Sequence, residues 1–246
     1  MKIRTNPFAM GVYLVVLLPV ACLMTACGET MKGWPEGGER AAADAWRQTF
    51  DVNKQNLGPS GNNPYFPLTP GHKVTLAGGG EEVVISVLND TKVVDGVECR
   101  VIEERESKGG KLAEVSRNFF AADKTTGDVY YFGEEVDVYR DGKVAGHGGA
   151  WVSGEKGAKF GLMMPGKPAV GDKYYQEFAP GEAMDRAENV DASATLKTPL
   201  KEFTGVLHVR ETSPLEPGDV SLKWYAAGVG MIGDEGLRII KVEQGK

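Results

Sequence analysis

The spacing of turn signals is the feature that most constrains the fold of this chain. From residue 64 onward, β-like runs are separated by Gly-, Asp- or Pro-containing turns roughly every 8–12 residues, a spacing typical of all-β proteins. Within EEVVISVLND, the apolar residues Val83, Ile85 and Val87 recur at every second position. Asp141-Gly142 is a strong hairpin signal. The sequence therefore predicts antiparallel strands joined by tight turns, which its 33 glycines also favour.

These strands are predicted to form one antiparallel β-domain over residues 64–246, with roughly ten to twelve strands. A sheet of that size has to curl or close in order to cover its apolar face and its edges. We therefore expect an all-β fold with minor α content, in which a curved meander sheet forms a half-barrel or a barrel-like sandwich. Residues 157–172 are predicted to be one long irregular loop, with Met163 and Met164 capping an end of the barrel. Cys99 alternates with polar neighbours and is predicted to be a buried apolar residue.

Residues 27–63 lie ahead of the β-domain and are rich in Gly, Pro and Asn, which predicts a flexible tether. Within this tether, residues 39–52 place Ala42, Trp46 and Phe50 along one helical face. We expect a short helix that rests on the domain, and a helix that binds a partner is the alternative.

The N-terminus has the layout of a secretory signal, with Lys2 and Arg4 followed by an apolar run over residues 8–26. The run is also long enough for a membrane span. The segment Leu23–Cys27, LMTAC, resembles the lipobox of bacterial lipoproteins. That resemblance implies that residues 1–26 are a signal peptide and that Cys27 becomes a lipidated N-terminus. An uncleaved membrane anchor and a plain secreted protein are the alternatives.

Lipidation would hold the mature chain at a membrane through fatty acyl chains of the palmitate type on Cys27. The expected location is extracytoplasmic, and it is the outer membrane if the cell has two membranes, because Gly28 and not Asp follows the cysteine. Formal net charge is −6, and it becomes more negative once Lys2 and Arg4 are removed. A domain of this charge is a poor nucleic-acid binder, since phosphate neutralisation supplies most of that affinity.

Several segments occur in a recognisable order, among them NPYFPLTPG (63–71), MMPGKPAVGD (163–172) and YAAGVGMI (225–232). Together they resemble a group of uncharacterised bacterial lipoproteins whose β-domain begins with N-P-Y-F-P-L-x-P-G and ends with Y-A-P-G-V-G. This chain has Ala227 at the position of the second proline. The resemblance implies a lipid-anchored β-domain and carries no activity.

Aromatic residues supply the candidate binding surface. Adjacent aromatics on a strand point to opposite faces, so one of each pair is available to line a cleft. We select Tyr65, Phe66, Trp224 and Tyr225 as the surface for an apolar small molecule or an envelope protein. Core packing explains the same pattern and is the alternative.

No residue is assigned to catalysis, to a cofactor or to a metal. Asp185 and Glu188 would be the carboxylate pair of a hydrolase, and three isolated histidines would be the ligands of a metal site: His72, His147 and His208. The sequence thus predicts a lipoprotein with a binding or structural role in the cell envelope. An envelope hydrolase and a metal-binding or sensing lipoprotein are the alternatives.

Overall fold

The computed structural model describes residues 45–245, and the chain from Trp46 onward belongs to one compact unit. Its described part is all-β, as predicted, and the only helix in this range is a 3-10 turn at Lys54–Asn56. Within residues 45–245, no helix has the length and apolar content needed to cross a membrane. The strands are β1 (Leu57–Gly58), β2 (Lys73–Gly78), β3 (Glu81–Val94), β4 (Val97–Lys108), β5 (Lys111–Asp123), β6 (Val129–Arg140), β7 (Lys143–Gly146), β8 (Trp151–Val152), β9 (Lys159–Met164), β10 (Lys173–Tyr175), β11 (Glu177–Phe178), β12 (Arg186–Lys197), β13 (Glu202–Thr212), β14 (Ser221–Ala226), β15 (Gly230–Asp234) and β16 (Leu237–Glu243).

One antiparallel sheet contains these strands, and its main path runs in the order β10-β12-β13-β14-β15-β16-β2-β3-β4-β5-β6-β9-β11. Three short strands lie off this path: β1 pairs with β5, and β7 and β8 pair with β6. The two ends of this order, β10 and β11, are separated in the chain by Gln176 alone. The segment 173–178 pairs with β12 through its first three residues and with β9 through its last two. The sheet therefore returns on itself as a nearly closed barrel, which confirms the predicted barrel-like meander.

Gly161 lets the closing segment cross β9. A Cβ atom on this glycine would lie 2.4 Å from both the carbonyl carbon and the carbonyl oxygen of Gln176, and 2.5 Å from the carbonyl oxygen of Tyr175. These are backbone atoms, so they cannot move away without breaking the pairing. Only glycine fits at this crossing.

The apolar core is one cluster of buried residues to which most strands contribute. Val83, Ile85 and Val87 point inward from β3 and are buried, as their alternation predicts. Aromatic rings continue this core. Phe120 packs edge-on against Phe66 at 4.8 Å and stacks on Tyr131 at 4.7 Å.

A second aromatic layer lies on the outer face of the same wall, because successive residues of β6 point to opposite faces. Phe132 stacks on Phe160 with ring centres 4.7 Å apart, and Tyr130 contacts Phe50 at 5.8 Å.

Cys99 is fully buried, as predicted, and burial raises the pKa of its thiol to about 12.

Two predictions about local structure are wrong. The described half of the predicted helix, residues 45–52, contains no helical turn. Instead, Arg47 donates its N–H to Lys173 O (3.0 Å) and accepts the N–H of Tyr175 (2.9 Å), because the edge of β10 offers backbone partners. The remaining part, 39–44, lies outside the described residues. Residues 159–164 of the predicted irregular loop are strand β9, in which Met163 and Met164 are core residues.

The described part of the predicted tether also packs on the barrel. Leu57 is buried, Val52 contacts the core, and β1 pairs with the end of β5. Packing therefore begins well ahead of residue 64, whereas residues 27–44 lie outside the described range.

Replacing Gly161 by alanine is expected to lower the free energy of unfolding by roughly 1–3 kcal/mol, because the added methyl group overlaps backbone atoms of the closing segment. Gly146→Ala is the matched control, since the space around Gly146 is open and its φ is not positive. Urea unfolding of the two purified variants measures the difference. Equal stabilities would contradict the role given to Gly161.

Candidate functional site

The structure separates the four residues of the predicted binding surface. Phe66 and Tyr225 are buried and line one cleft, whereas Tyr65 and Trp224 are half-buried and do not line it. The cleft is apolar and has a volume of only about 30 Å³. Small-molecule sites span roughly 300–1,000 Å³. The cleft therefore has room for little more than water.

Trp224 is covered on the outer face of the barrel. His208, its neighbour on β13, stacks on it with ring centres 4.8 Å apart and planes 4° apart. The guanidinium of Arg238 lies 4.7 Å from the Trp224 ring centre. Gly233 separates Trp224 from Arg238 in the sheet register, and a Cβ atom there would lie 3.0 Å from the indole. Trp224 therefore works as part of a surface stack.

The barrel interior holds a feature that the sequence reading missed, a set of buried carboxyl groups. We call it the inner acid cluster. Its members are Glu104, Glu106, Glu114, Glu134, Glu177, Asp185 and Glu211. Acidic side chains are almost never fully buried unless they are paired. The pairing of β3 with β4 is the one feature that indicates this burial. In that register Glu104 and Glu106 lie opposite the inward-facing Ile85 and Val83.

Lys223 is the buried cation of this interior. Its Nζ lies 2.7 Å from Glu211 Oε2, and both side chains are almost fully buried. The other oxygen of Glu211 accepts a hydrogen bond from Gln176 Nε2 at 2.7 Å. Burial alone would lower the pKa of Lys223, but the carboxylates of Glu211 and Asp234 outweigh it and raise that pKa. The residue at the barrel closure, Gln176, is thus tied to an internal ion pair.

Burial favours the protonated form of several members of this cluster. Burial, followed by repulsion from neighbouring carboxylates, raises the pKa of Glu104 and of Glu106 well above the usual range. Burial and repulsion from Asp185 do the same for Glu177. Burial raises the pKa of Glu114 to about 7. Carboxyl groups in this state are neutral donors, which lowers the cost of burying them.

A lateral groove of about 240 Å³ lies beside this cluster. β6 pairs with β9 through Val129–Tyr131 and with β8 through Gly133 and Glu134. The groove is lined by the β6–β8 wall, by the turn 155–158 and by residues 179–182. Glu134, which is only 1% exposed, lines the groove and also neighbours Glu177. The inner acid cluster therefore reaches this groove through Glu134.

Gly133 brings β8 against β6 and so positions Trp151. Its φ is +141°, and a Cβ atom would lie 2.5 Å from Trp151 O. Trp151 is placed directly opposite Glu134 and packs edge-on against Tyr131 at 5.2 Å. Its indole N–H is buried and has no hydrogen-bond acceptor among residues 45–245.

The alternative sites of the sequence reading are not assembled. Asp185 is buried, and its backbone N–H donates to Glu177 Oε1 at 2.8 Å. Glu188 is paired with Arg210 instead, because residues three apart on a strand point to opposite faces. Among the described residues, no group of three or more His, Cys, Asp and Glu side chains is arranged to hold a metal ion. Cys27 lies outside the described residues.

The histidines have separate partners. His72 Nε2 lies 2.9 Å from Val229 O at the apolar cleft, and His147 Nδ1 lies 2.8 Å from Val136 O. His208 stacks on Trp224 on the outer face. The three histidines therefore do not come together as one metal site.

Unfolding is expected to become easier as pH rises from about 5 to about 8. The pKa of Glu114 is about 7 against 4.5 for an ordinary glutamate, so between these values the folded state keeps a proton that the unfolded state loses. That difference removes up to about 3 kcal/mol of stability at high pH. Glu104, Glu106 and Glu177 act in the same direction.

Glu114→Gln is expected to reduce this pH dependence and to stabilise the protein at about pH 8, because the amide stays neutral. Urea unfolding across the pH range is the measurement. Glu82→Gln, on the exposed face of β3, is the matched control and should leave the profile unchanged. A wild-type stability that rises towards alkaline pH would disprove the protonated interior.

No family model, curated protein or solved structure matches the chain. The resemblance to uncharacterised lipoproteins stays an expectation, and a barrel alone does not indicate a function. Function therefore has to be argued from the geometry of the site.

Proposed function

We propose that this protein is a lipid-anchored, extracytoplasmic protein of the cell envelope that binds a small ligand in the lateral groove. One observation carries the binding role. The groove of about 240 Å³ is lined by buried Glu134 and by Trp151, beside small apolar side chains. An apolar lining with a few polar groups is typical of small-molecule sites.

The groove is a better candidate than the apolar cleft. Its volume is about eight times larger than the 30 Å³ of the cleft, and it combines small apolar side chains with charged ones. A neighbouring groove of about 250 Å³ includes Ser153. That serine already donates to Asp95 Oδ2 (3.1 Å) and accepts from the Phe160 N–H (3.0 Å), so its hydroxyl has a structural use.

The anchoring part of the proposal is supported by the sequence alone. The LMTAC segment ends at Cys27, directly after an apolar signal-like run. Several acyl chains on one cysteine give stable membrane attachment, because each buried methylene contributes ~0.8 kcal/mol.

An envelope hydrolase is the second candidate, and one specific observation favours it. Glu177, whose pKa is raised, neighbours Glu134 at the groove, and a neutral acid beside a carboxylate is the pattern of acid–base catalysis. Binding is preferred because Glu177 is completely buried and does not line the groove. Steady release of product from an envelope glycan or lipid by the purified protein would favour the hydrolase.

Cys27→Ser is expected to abolish incorporation of labelled palmitate and to move the protein out of the membrane fraction, because serine cannot form the thioether to diacylglycerol. Cys22→Ser is the matched control, since it lies in the same apolar run, and should keep both properties. Metabolic labelling measures the incorporation of palmitate, and membrane fractionation then measures the membrane-bound share of each protein. Unchanged labelling of Cys27→Ser would rule out the lipid anchor at this position.

Ala150→Trp is expected to fill the groove and to displace a bound molecule, since Ala150 lines the groove and is only half-buried. Val144→Trp places the same side chain on exposed β7, outside the groove. Native mass spectrometry of protein purified from its own envelope compares the two. We expect an added small-molecule mass in wild type and Val144→Trp that is lost in Ala150→Trp. If all three proteins lack such a mass, the binding function is wrong.

A further inference from the structure

The loop that closes the barrel is stabilised by hydrogen bonds within itself. We call residues 176–185 the closure loop. Gln176 donates its N–H to Asp185 O at 2.8 Å, and Ala179 and Ala183 exchange both of their backbone hydrogen bonds, at 2.8 and 2.9 Å. Its pairing with the rest of the sheet is short, because β11 contributes only two residues to the ladder with β9. The loop can therefore separate from β9 with the loss of few backbone bonds.

Glu177 is the most deeply buried acid of this loop, with an exposure of 0%. Its Oε1 accepts the N–H of Asp185 at 2.8 Å. Its Oε2 is buried and has no hydrogen-bond partner among residues 45–245. A buried carboxylate is costly unless it is paired and hydrogen-bonded. The geometry around Glu177 therefore suits the neutral acid and does not suit the anion.

The acidic groups around Glu177 also disfavour its ionisation. Asp185 of the same loop, Glu134 of β6 and Glu211 of β13 all repel a negative charge at this position. The phenol of Tyr131, on β6, is buried beside the same acids. Burial in the first place, and then this repulsion, raises the pKa of Glu177 well above its usual range.

Two lysines of the neighbouring strands contact other groups. Lys159 on β9 lies opposite Phe178, and its Nζ is 6.0 Å from the centre of that ring. Phe178 directly follows Glu177, so the two side chains point to opposite faces of the sheet. Lys223 on β14 forms its ion pair with Glu211 at 2.7 Å. Both lysines are thus engaged with groups other than Glu177.

We propose that the closure loop is a gate in the barrel wall that opens locally as pH rises, because Glu177 has to leave the interior in order to lose its proton. In the open form Glu177 is solvated and ionises as an ordinary glutamate does. Opening also withdraws Gln176 from Glu211 and moves Ala179 and Glu182, which line the lateral groove. The gate links pH to the internal ion pair and to the groove wall, and it does not depend on a ligand in the groove.

Hydrogen exchange of the loop amides, measured on the purified protein from about pH 5 to about pH 8 and corrected for intrinsic exchange rates, tests the gate. Each opening releases one proton, so the opening equilibrium is expected to rise by up to roughly tenfold for each pH unit above the usual pKa of glutamate. The amides to follow are those of Gln176, Ala179, Ala183 and Asp185. Amides of β3 are the reference for global unfolding and should exchange more slowly at each pH.

Glu177→Gln is expected to remove this pH dependence of loop opening, because the amide side chain has no proton to lose in this range. Glu182→Gln is the matched control, since Glu182 is an exposed acid of the same loop, and it should open with the pH dependence of wild type. Glu177→Met supplies a second uncharged side chain of similar length in case Glu177→Gln does not fold.

A wild-type opening equilibrium that is independent of pH would overturn the gate. If the loop amides exchange at the same rate as those of β3, opening is global and the local gate is wrong. A pH dependence that persists in the Glu177 variants, or that disappears in Glu182→Gln, would contradict the role given to Glu177.

Discussion

The rest of the structure depends on the closing segment at residues 173–178. An open sheet of this size would leave two edges with unpaired backbone groups. Here both edges are paired by one short stretch, through β10 to β12 and through β11 to β9. Gly161 permits the crossing, and Gln176 between the two strands binds Glu211 inside the barrel. Gln176 thus connects the closure of the backbone to the internal ion pair of Glu211 and Lys223.

Closure along only part of β6 also accounts for the groove. Beyond Gly133 and Glu134, β6 continues into its hairpin with β7, so the wall there is completed by turns and not by a continuous strand ladder. Turns expose side chains at their tips, and Glu155 and Glu182 occupy two of them. A site for a ligand is expected at such a place, because a rigid barrel holds loop residues in defined positions.

The sequence was sufficient to predict the fold class and insufficient to predict the site. Alternation of Val83, Ile85 and Val87 and the regular turns indicate strands, since strand periodicity is local. β9 was missed because the glycines and prolines around FGLMM are typical of a loop. The closure and the acid cluster depend on long-range contacts, such as that between Gly161 and Gln176, which periodicity does not report. Acidic residues are also normally exposed, so Glu104 and Glu106 gave no local sign of burial.

The protonation of the interior determines how the stability of the barrel responds to pH. Burial raises the pKa of Glu104, Glu106 and Glu177 and so favours their neutral form, while Lys223 is paired with Glu211. Buried acids with a raised pKa, such as Glu114, lose their protons more readily when the barrel unfolds. A substitution that keeps one of these positions neutral therefore alters how the barrel resists unfolding at high pH.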